Sequence, residues 1–451
     1  IAYRNLFSTS IDKHYDLAII GRGMIGSAAA RHAAKIVARN VGGSTQHDGA
    51  PSPSSIVMIG PSEPSNEGEG NYDHSRSIFG AHYDEGRITR RTDPNPVWAE
   101  LASRSISRYN EINQESGGME FYVECGHLAL GPKGSDTIEK RKAGAASMGV
   151  DYDSLEYAEL CERFPYLTPP TEECIGIHET KDAGYISARG LVRAQTAAAQ
   201  NMGVEVIDGI VSRVHKSTDH GEDDGYFLVY IKGGRTIKSK RVLVTAGAFC
   251  NDQNLLPNKL DITPVKTQTV HFILSLEDEQ RLKNMPSIIV RSDTFWAYLL
   301  PPIQYPDSTT RAKIGGAYLD SSGNEIGREK MSCGKEVVDW HTGSGSLDAR
   351  NDMIQMMQSL LPNIESMQSS KLSTINNTCA VLHTPTRQAY IGEVKDKWAV
   401  ATGGNGVAAK SSDEIGRLAA LCILDREAYE REQVCGKFCK SLFAPRYREL
   451  E

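Results

Sequence analysis

The sequence predicts an α/β fold in which a nucleotide-binding domain alternates along the chain with a second domain rich in sheet. Three observations predict it. The apolar run Tyr15–Ile20 passes directly into the glycine turn GRGMIG and the alanine-rich stretch SAAARHAAK, the order strand, tight turn, helix. Near the other end, a strand at Trp398–Thr402 meets a second glycine turn, GGNG, and a helix over Ser411–Leu424. Between these ends lie segments whose apolar residues alternate as in half-buried strands, so each domain collects several separate pieces of chain.

After the first helix, Val41–Ser55 is rich in Gly, Ser, Pro and Asn and reads as a surface loop; SIVMIG, Ser55–Gly60, is the second strand of the βαβ opening. An amphipathic helix is expected at Pro96–Asn113, strand alternation at Met119–Pro132, a charged surface helix at Ser135–Met148 and a further helix at Ser187–Gly203. EVIDGIVSRVHK then gives a strand pair. The acidic run DHGEDDG that follows separates it from YFLVYI and reads as a solvated hairpin tip. RVLVTAGA closes this middle piece. Strands are expected again at Val270–Leu276, Ser287–Val290, Ala297–Pro301 and Lys313–Leu319, with a helical region at Glu336–Leu361. Ile1–His14, with Arg4, several Ser and Thr and a single acid, Asp12, reads as the trimmed end of a targeting peptide and is set outside the fold.

Composition narrows the function classes. The 451 residues, 39% hydrophobic and 24% charged, match a soluble globular protein of two or three domains. No stretch reaches the roughly 20 apolar residues of a transmembrane helix, so no membrane partner is expected. With 50 basic against 57 acidic residues the net charge is −7, which disfavours a nucleic-acid partner. Nine cysteines, an odd number spread widely, give no disulfide framework and point to a reducing, soluble intracellular setting, cytoplasmic ahead of mitochondrial or peroxisomal. Cys435 and Cys439 lack a second Cys or His pair, and the twelve histidines show no ligand spacing, so no metal is expected. No G-x-S-x-G, H-E-x-x-H or P-loop is present.

In the first turn, Gly21 makes the bend, Gly23 lets backbone N–H groups approach a pyrophosphate, and Gly26 packs helix on strand; Ser27 follows in the first helical turn. The helix N-terminus adds partial positive charge. A dinucleotide-binding strand usually ends in an acid for the ribose. Here Gly60 occupies that place and Glu63 is the nearest acid, so either Glu63 curls back to the ribose or no carboxylate does.

The segments YDLAIIGRGMIGSAAA, DAGYISARGLVRAQTAAAQNMGVEVIDG, VLVTAGAF and ATGGNGVAAKSSDEIGRLAA, in this order, resemble the FAD-dependent D-amino-acid oxidase superfamily. Within it the likeness is to the branch of sarcosine oxidase, N-methyl-amino-acid oxidase and fructosyl-amino-acid oxidase, and it covers almost the whole chain. The resemblance implies a Rossmann-like FAD-binding domain, residues 15–104, 182–262 and 371–430, interleaved with an α+β substrate domain on a large antiparallel or mixed sheet, residues 105–181 and 263–370. Residues 1–14 form an extension and 431–451 a tail. It implies FAD as cofactor, held at Gly21, Gly23, Gly26, Ser27, Glu63, Val211, Gly247, Gly404 and Gly406.

The resemblance also assigns chemistry. Cys379, in NTCAVLHTPT, stands where the sarcosine oxidase branch has a thioether to the flavin, against the plainer reading of a buried free thiol. Lys410 matches the family lysine beside the substrate carboxylate. Lys313 matches the lysine over the flavin whose charge favours reaction with oxygen. Arg76 lies near the arginine-bearing loop over the flavin. Two positions depart from the pattern: Gly80 replaces the second loop arginine, and Ala317 or Tyr318 replaces a histidine after the Lys313 region. Trp296, Tyr298, Tyr318 and Tyr390 are candidate aromatic walls, with His82 and Tyr83 lining the loop above the ring. The implied reaction oxidises the C–N bond of a small amine or N-substituted amino acid to an imine by hydride transfer to flavin, O2 becoming H2O2, in a monomer or small homo-oligomer. A flavin dehydrogenase with another electron acceptor, or a non-catalytic flavin-bearing binding protein, stays open.

Overall fold

The computed structural model describes residues 11–42, 52–63, 77–217, 225–364 and 374–449. A six-stranded sheet carries the nucleotide-binding architecture, in the spatial order Glu205–Asp208, Ile56–Gly60, Leu17–Ile20, Val242–Val244, Trp398–Thr402, Tyr390–Lys395. The first five run parallel and the last is antiparallel. Parallel strands are covered on both faces, which is why LAII, IVMIG, VLV and WAVAT read as continuous apolar runs that are wholly buried.

The helices Met24–Gly42 and Ser412–Leu424 pack side by side against this sheet. Small residues permit the close approach. Ala28, Ala29, Ala30, Ala33 and Ala34 are fully buried, and a Cβ on Gly416 would stand 2.5 Å from the Cβ of Ala28. Buried charge then pins the two helices: Asp413 accepts from Arg31 (3.1 Å), His32 (2.9 Å), Arg108 (2.6 Å) and Gln195 (2.8 Å). Although burial raises the Asp413 pKa, His32, Arg108 and Arg31 hold it well below the usual carboxylate range.

The second domain is built on an eight-stranded mixed sheet, ordered Thr374–His383, Thr263–Ile273, Thr310–Tyr318, Phe295–Gln304, Ser287–Arg291, His127–Pro132, Cys174–Glu179, Asp153–Leu155. All neighbours are antiparallel except Ser287–Arg291 with His127–Pro132. The helix Leu347–Leu360 packs Met353, Met356, Met357 and Leu360 into the core under it. A small sheet of Arg87–Thr89, Gly184–Ile186 and Tyr122–Val123 brings together three segments distant in sequence.

Several elements differ from expectation. Residues 11–14, set aside as part of an extension, form with Tyr15 a strand parallel to Thr236–Ser239: the open edge of that hairpin supplies hydrogen-bonding groups that local composition does not reveal. The helix expected over Pro96–Asn113 is two, Pro96–Ile106 and Tyr109–Glu115, broken at Ser107. Thr374–His383, unrecognised as a strand, pairs along its whole length with Thr263–Phe272. The acidic run and the loop beyond Gly42 fall on residues outside those described, apart from the flanking strands Val211–Ser217 and Tyr226–Ile231, which pair as a hairpin.

Candidate active site

A cavity opens at the carboxyl ends of the parallel strands, where Ile20, Ile59, Thr245 and Thr402 end and the two glycine turns begin. This is the position where open α/β sheets bind ligands. Gly21 has φ +117°, a conformation reserved for glycine, and donates its N–H to Ile59 O at 2.8 Å. A Cβ at Gly26 would lie 1.9 Å from Gly21 O and 2.6 Å from Thr245 Oγ1, so helix and turn touch through backbone alone. Thr245 locks the arrangement: its hydroxyl donates to Ile20 O and Gly21 O, each at 3.0 Å. Gly23 has open space beside it and lines the cavity.

Gly60 also lines the cavity, and a Cβ there would meet the Cβ of Arg22 at 2.5 Å. Arg22 therefore occupies the space into which an acid at this strand end would project. Glu63 lies elsewhere. Its carboxylate takes Arg189 and, at 2.9 Å, Arg193, and it is not among the lining residues, so the ribose role expected of Glu63 finds no support in this arrangement. Val211, Gly247, Gly404 and Gly406 do line the cavity. Gly26 and Ser27 do not; Ser27 turns its hydroxyl to Gly23 O at 3.0 Å, completing the helix start.

Cys379 marks another part of the wall, with Ala380, Val381 and Leu382 beside it. Burial pushes its thiol pKa up, while Arg87 opposes that shift. Arg87 itself lines the cavity and donates to Asp84, to Gly86 O at 2.8 Å and to Ala81 O at 2.9 Å. Lys313 stands just behind this wall. It is 0% exposed, its Nζ lies 2.6 Å from Asp84 Oδ2 and donates to Gly86 O, and it sits 6.0 Å from the Tyr298 ring centroid. Phe79 stacks on His341 at 5.0 Å, and His82 meets Tyr83 edge-on at 4.7 Å; all four line the cavity. Burial lowers the His82 pKa to about 4, so the ring is neutral at pH 7.

Lys410, 2% exposed, is turned away from the cavity: its ammonium lies 3.1 Å from Asp93 and donates to Val407 O at 3.0 Å, while its neighbours Ala408, Ala409 and Ser412 form the wall. Burial lowers its pKa to about 8 although Asp93 opposes the shift. The two lysines thus flank the strand Arg87–Thr89, Lys313 bonded at Gly86 before it and Lys410 to Asp93 beyond it. Arg76 lies outside the described residues. Tyr390 is a core residue and not a wall, fully buried with its hydroxyl donating to Asp261 O at 3.2 Å. Trp296 and Tyr298 stack at 6.1 Å. Sequence reasoning missed Asp84, Arg87 and Arg22. The first two sit in the short run YDEGR, whose signal is a buried acid beside a glycine and no motif; Arg22 is an unconstrained position of the glycine turn.

A family model described as DAO, FAD dependent oxidoreductase, matches residues 16–421. The chain belongs to this family of FAD dependent oxidoreductases. The N-methyl-L-tryptophan oxidase of Yersinia pestis (strain Pestoides F) is 24% identical over 253 residues, 56% of this chain and 58% of that protein, so the match spans a little over half of the curated relative. The fold recurs in NikD, described as an unusual amino acid oxidase essential for nikkomycin biosynthesis (TM-score 0.69, 15% identity, 97% of this chain and 99% of that one). It recurs in the Aspergillus fumigatus fructosamine oxidase Amadoriase II (0.67, 16%, 96% and 90%) and in glycine oxidase of Geobacillus kaustophilus (0.63, 18%, 97% and 100%). For a family member the cavity fits FAD. Gly21 and Gly26 leave no room for a Cβ, two arginines line the wall, and none of the described lining residues is acidic. Among the described residues no helix is long and apolar enough to cross a membrane, and no group of three or more metal-ligating side chains occurs.

Proposed function

We propose that the chain oxidises the carbon–nitrogen bond of a small amine or N-substituted amino acid to an imine, with O2 reduced to H2O2. FAD, when bound, supplies the redox chemistry by accepting a hydride from the carbon next to the amine nitrogen. Gly21, Gly23 and the start of the helix Met24–Gly42 would hold its pyrophosphate through backbone N–H groups, with Arg22 adding charge. Gly404 and Gly406 would cradle it from the second glycine turn, and Cys379 is the position for a thioether to its ring.

The observation that carries the reading is the cation pair beside Cys379, Lys313 buried behind the wall and Arg87 on it. Lys313 and Arg87 share one carboxylate, Asp84, so the cluster keeps one excess positive charge at the wall. A fixed cation in a water-poor site stabilises negative charge as oxygen acquires it, an effect worth about 10²–10³ in rate for comparable preorganised groups. The neutral His82 offers a polar edge without a competing charge, Phe79 and Phe249 add apolar lining, and Arg87 can take a carboxylate of the bound amine. No strong base lines the wall among the described residues, which suits removal of a hydride from an amine that enters neutral.

The test is anaerobic mixing of the yellow holoprotein with a panel of secondary and D-configured amines, followed by air. At least one amine should bleach the flavin band, and air should restore it with formation of peroxide. A flavoprotein that no amine bleaches contradicts the reading, and bleaching without peroxide turns it into a dehydrogenase.

A further inference from the structure

We propose that Asp84 is a positioning residue for the oxygen reaction: its carboxylate keeps Lys313 in the ammonium form behind the Cys379 wall. The inference rests on the reading above in taking Lys313 as the group that meets oxygen. An ammonium without solvent loses its proton unless an anion compensates it. Lys313 has no exposed surface, and its strand Thr310–Tyr318 is sandwiched between two others.

Each element packed around it presents an identifiable group. The strand Thr263–Ile273 places His271 directly opposite Lys313, and burial lowers that histidine's pKa to about 3, leaving it neutral. Phe295–Gln304 and the residue after it give Tyr298 and Tyr305, both held protonated as burial raises their pKa values. Thr374–His383 gives Cys379, raised likewise. Arg311, on the strand of Lys313 itself, pairs with Asp307. Arg87 adds a second cation. Asp84 alone supplies the countercharge, and among the described residues no second carboxylate pairs with either Lys313 or Arg87.

The carboxylate is fixed for this task. One oxygen takes Lys313 Nζ at 2.6 Å and the Arg87 guanidinium, and the other takes the Tyr305 hydroxyl at 2.9 Å and Glu85 N at 2.8 Å. The result is a Lys313 pKa lowered to about 8 by burial, with Asp84 pulling it upward and Arg87 adding to the downward shift. Removing Asp84 takes away the upward pull and leaves the Arg87 repulsion. Lys313 would then be mostly neutral at pH 7.5, short of the charge that favours oxygen.

The experiment reads Lys313 directly and through oxygen. Holoprotein reduced with dithionite is mixed with O2 across pH 6–9.5, and the titration of Lys313 is followed by NMR of lysine Cε in 13C-labelled protein, with Lys313→Arg assigning the resonance. In the wild type both should show an inflection near pH 8. In Asp84→Asn both should shift to lower pH by about one unit, so that the oxygen rate constant at pH 7.5 falls about threefold and recovers on acidification; Asp84→Glu should restore most of it. Tyr305→Phe, which removes a donor from the carboxylate, should shift both the opposite way and serves if Asp84→Asn does not fold. An unchanged inflection in these variants, or faster oxygen reaction in Asp84→Asn at pH 7.5, overturns the proposal. Because dithionite supplies the electrons, these outcomes are independent of whether any amine bleaches the flavin.

Discussion

Gly26→Ala tests the cofactor cradle through a single methyl group. The added Cβ would lie 1.9 Å from Gly21 O, 2.9 Å from Gly21 C and 2.6 Å from Thr245 Oγ1. Ordinary contact needs about 3.4 Å, so the helix start must retreat from the turn by roughly 1.5 Å, or the turn must open. Either movement misaligns the N–H groups that would face the pyrophosphate. Overpacking of this kind costs about 1–3 kcal/mol, and if that strain is relieved by displacing the turn, FAD affinity falls by about 5- to 150-fold. Titration of apoprotein with FAD, followed by flavin fluorescence or calorimetry, measures it. Alanine at the open position Gly23, whose nearest neighbour is His82 Nδ1 at 3.8 Å, should cost less. Equal affinities for wild type and Gly26→Ala would refute the cradle argument.

Lys313→Met should slow the reaction of reduced flavin with oxygen by about 10²–10³-fold while anaerobic reduction by amine changes less than tenfold; equal loss in both steps would place the lysine in substrate binding instead. Acid precipitation of the holoprotein should leave the yellow colour in the pellet, and Cys379→Ser should release it to the supernatant; colour in the wild-type supernatant would show that no thioether forms. Asp413→Asn leaves the fully buried Arg31 without one carboxylate and should destabilise the protein by about 3 kcal/mol in urea unfolding, a change below about 0.5 kcal/mol being incompatible with the helix clamp described. Burial raises the Asp93 carboxyl, but Lys410, Arg90 and Arg141 pull it down to about 2, below its ordinary 3.8. Its contribution is therefore present above pH 4 and lost as pH falls toward 2, and Asp93→Asn should flatten that part of the acid-unfolding curve.

The nucleotide-binding half of the fold was legible because its strands are buried on both faces and its turns demand glycine: SIVMIG, WAVAT and GRGMIG announce themselves by local composition. Thr374–His383 was not legible. TINNT lacks alternation because it forms a sheet edge and leans on polar neighbours such as Gln268 and Ser344, and so the strand bearing Cys379 had no local signature. In the site, the family resemblance pointed to Lys313, Lys410 and Cys379, of which Cys379 lines the cavity, and the orientation of both lysines depends on Asp84 and Asp93, which are 229 and 317 residues away from them. Charge pairing over such separations leaves no periodicity to read. The place of Gly60 shows the same limit in reverse: the missing acid is a matter of Arg22 filling its space, a contact between two strands' ends.

If the proposed function holds, the cavity at the strand ends takes FAD between the glycine turn and the Cys379 wall. A crystal of the holoprotein, or cross-validated cofactor analysis of the purified chain, answers it in one step. One FAD per chain is expected, with its diphosphate on the amides of residues 21–26 and its ring system against Cys379. A chain that carries no flavin and does not take up FAD, or density for the cofactor away from those residues, would contradict it.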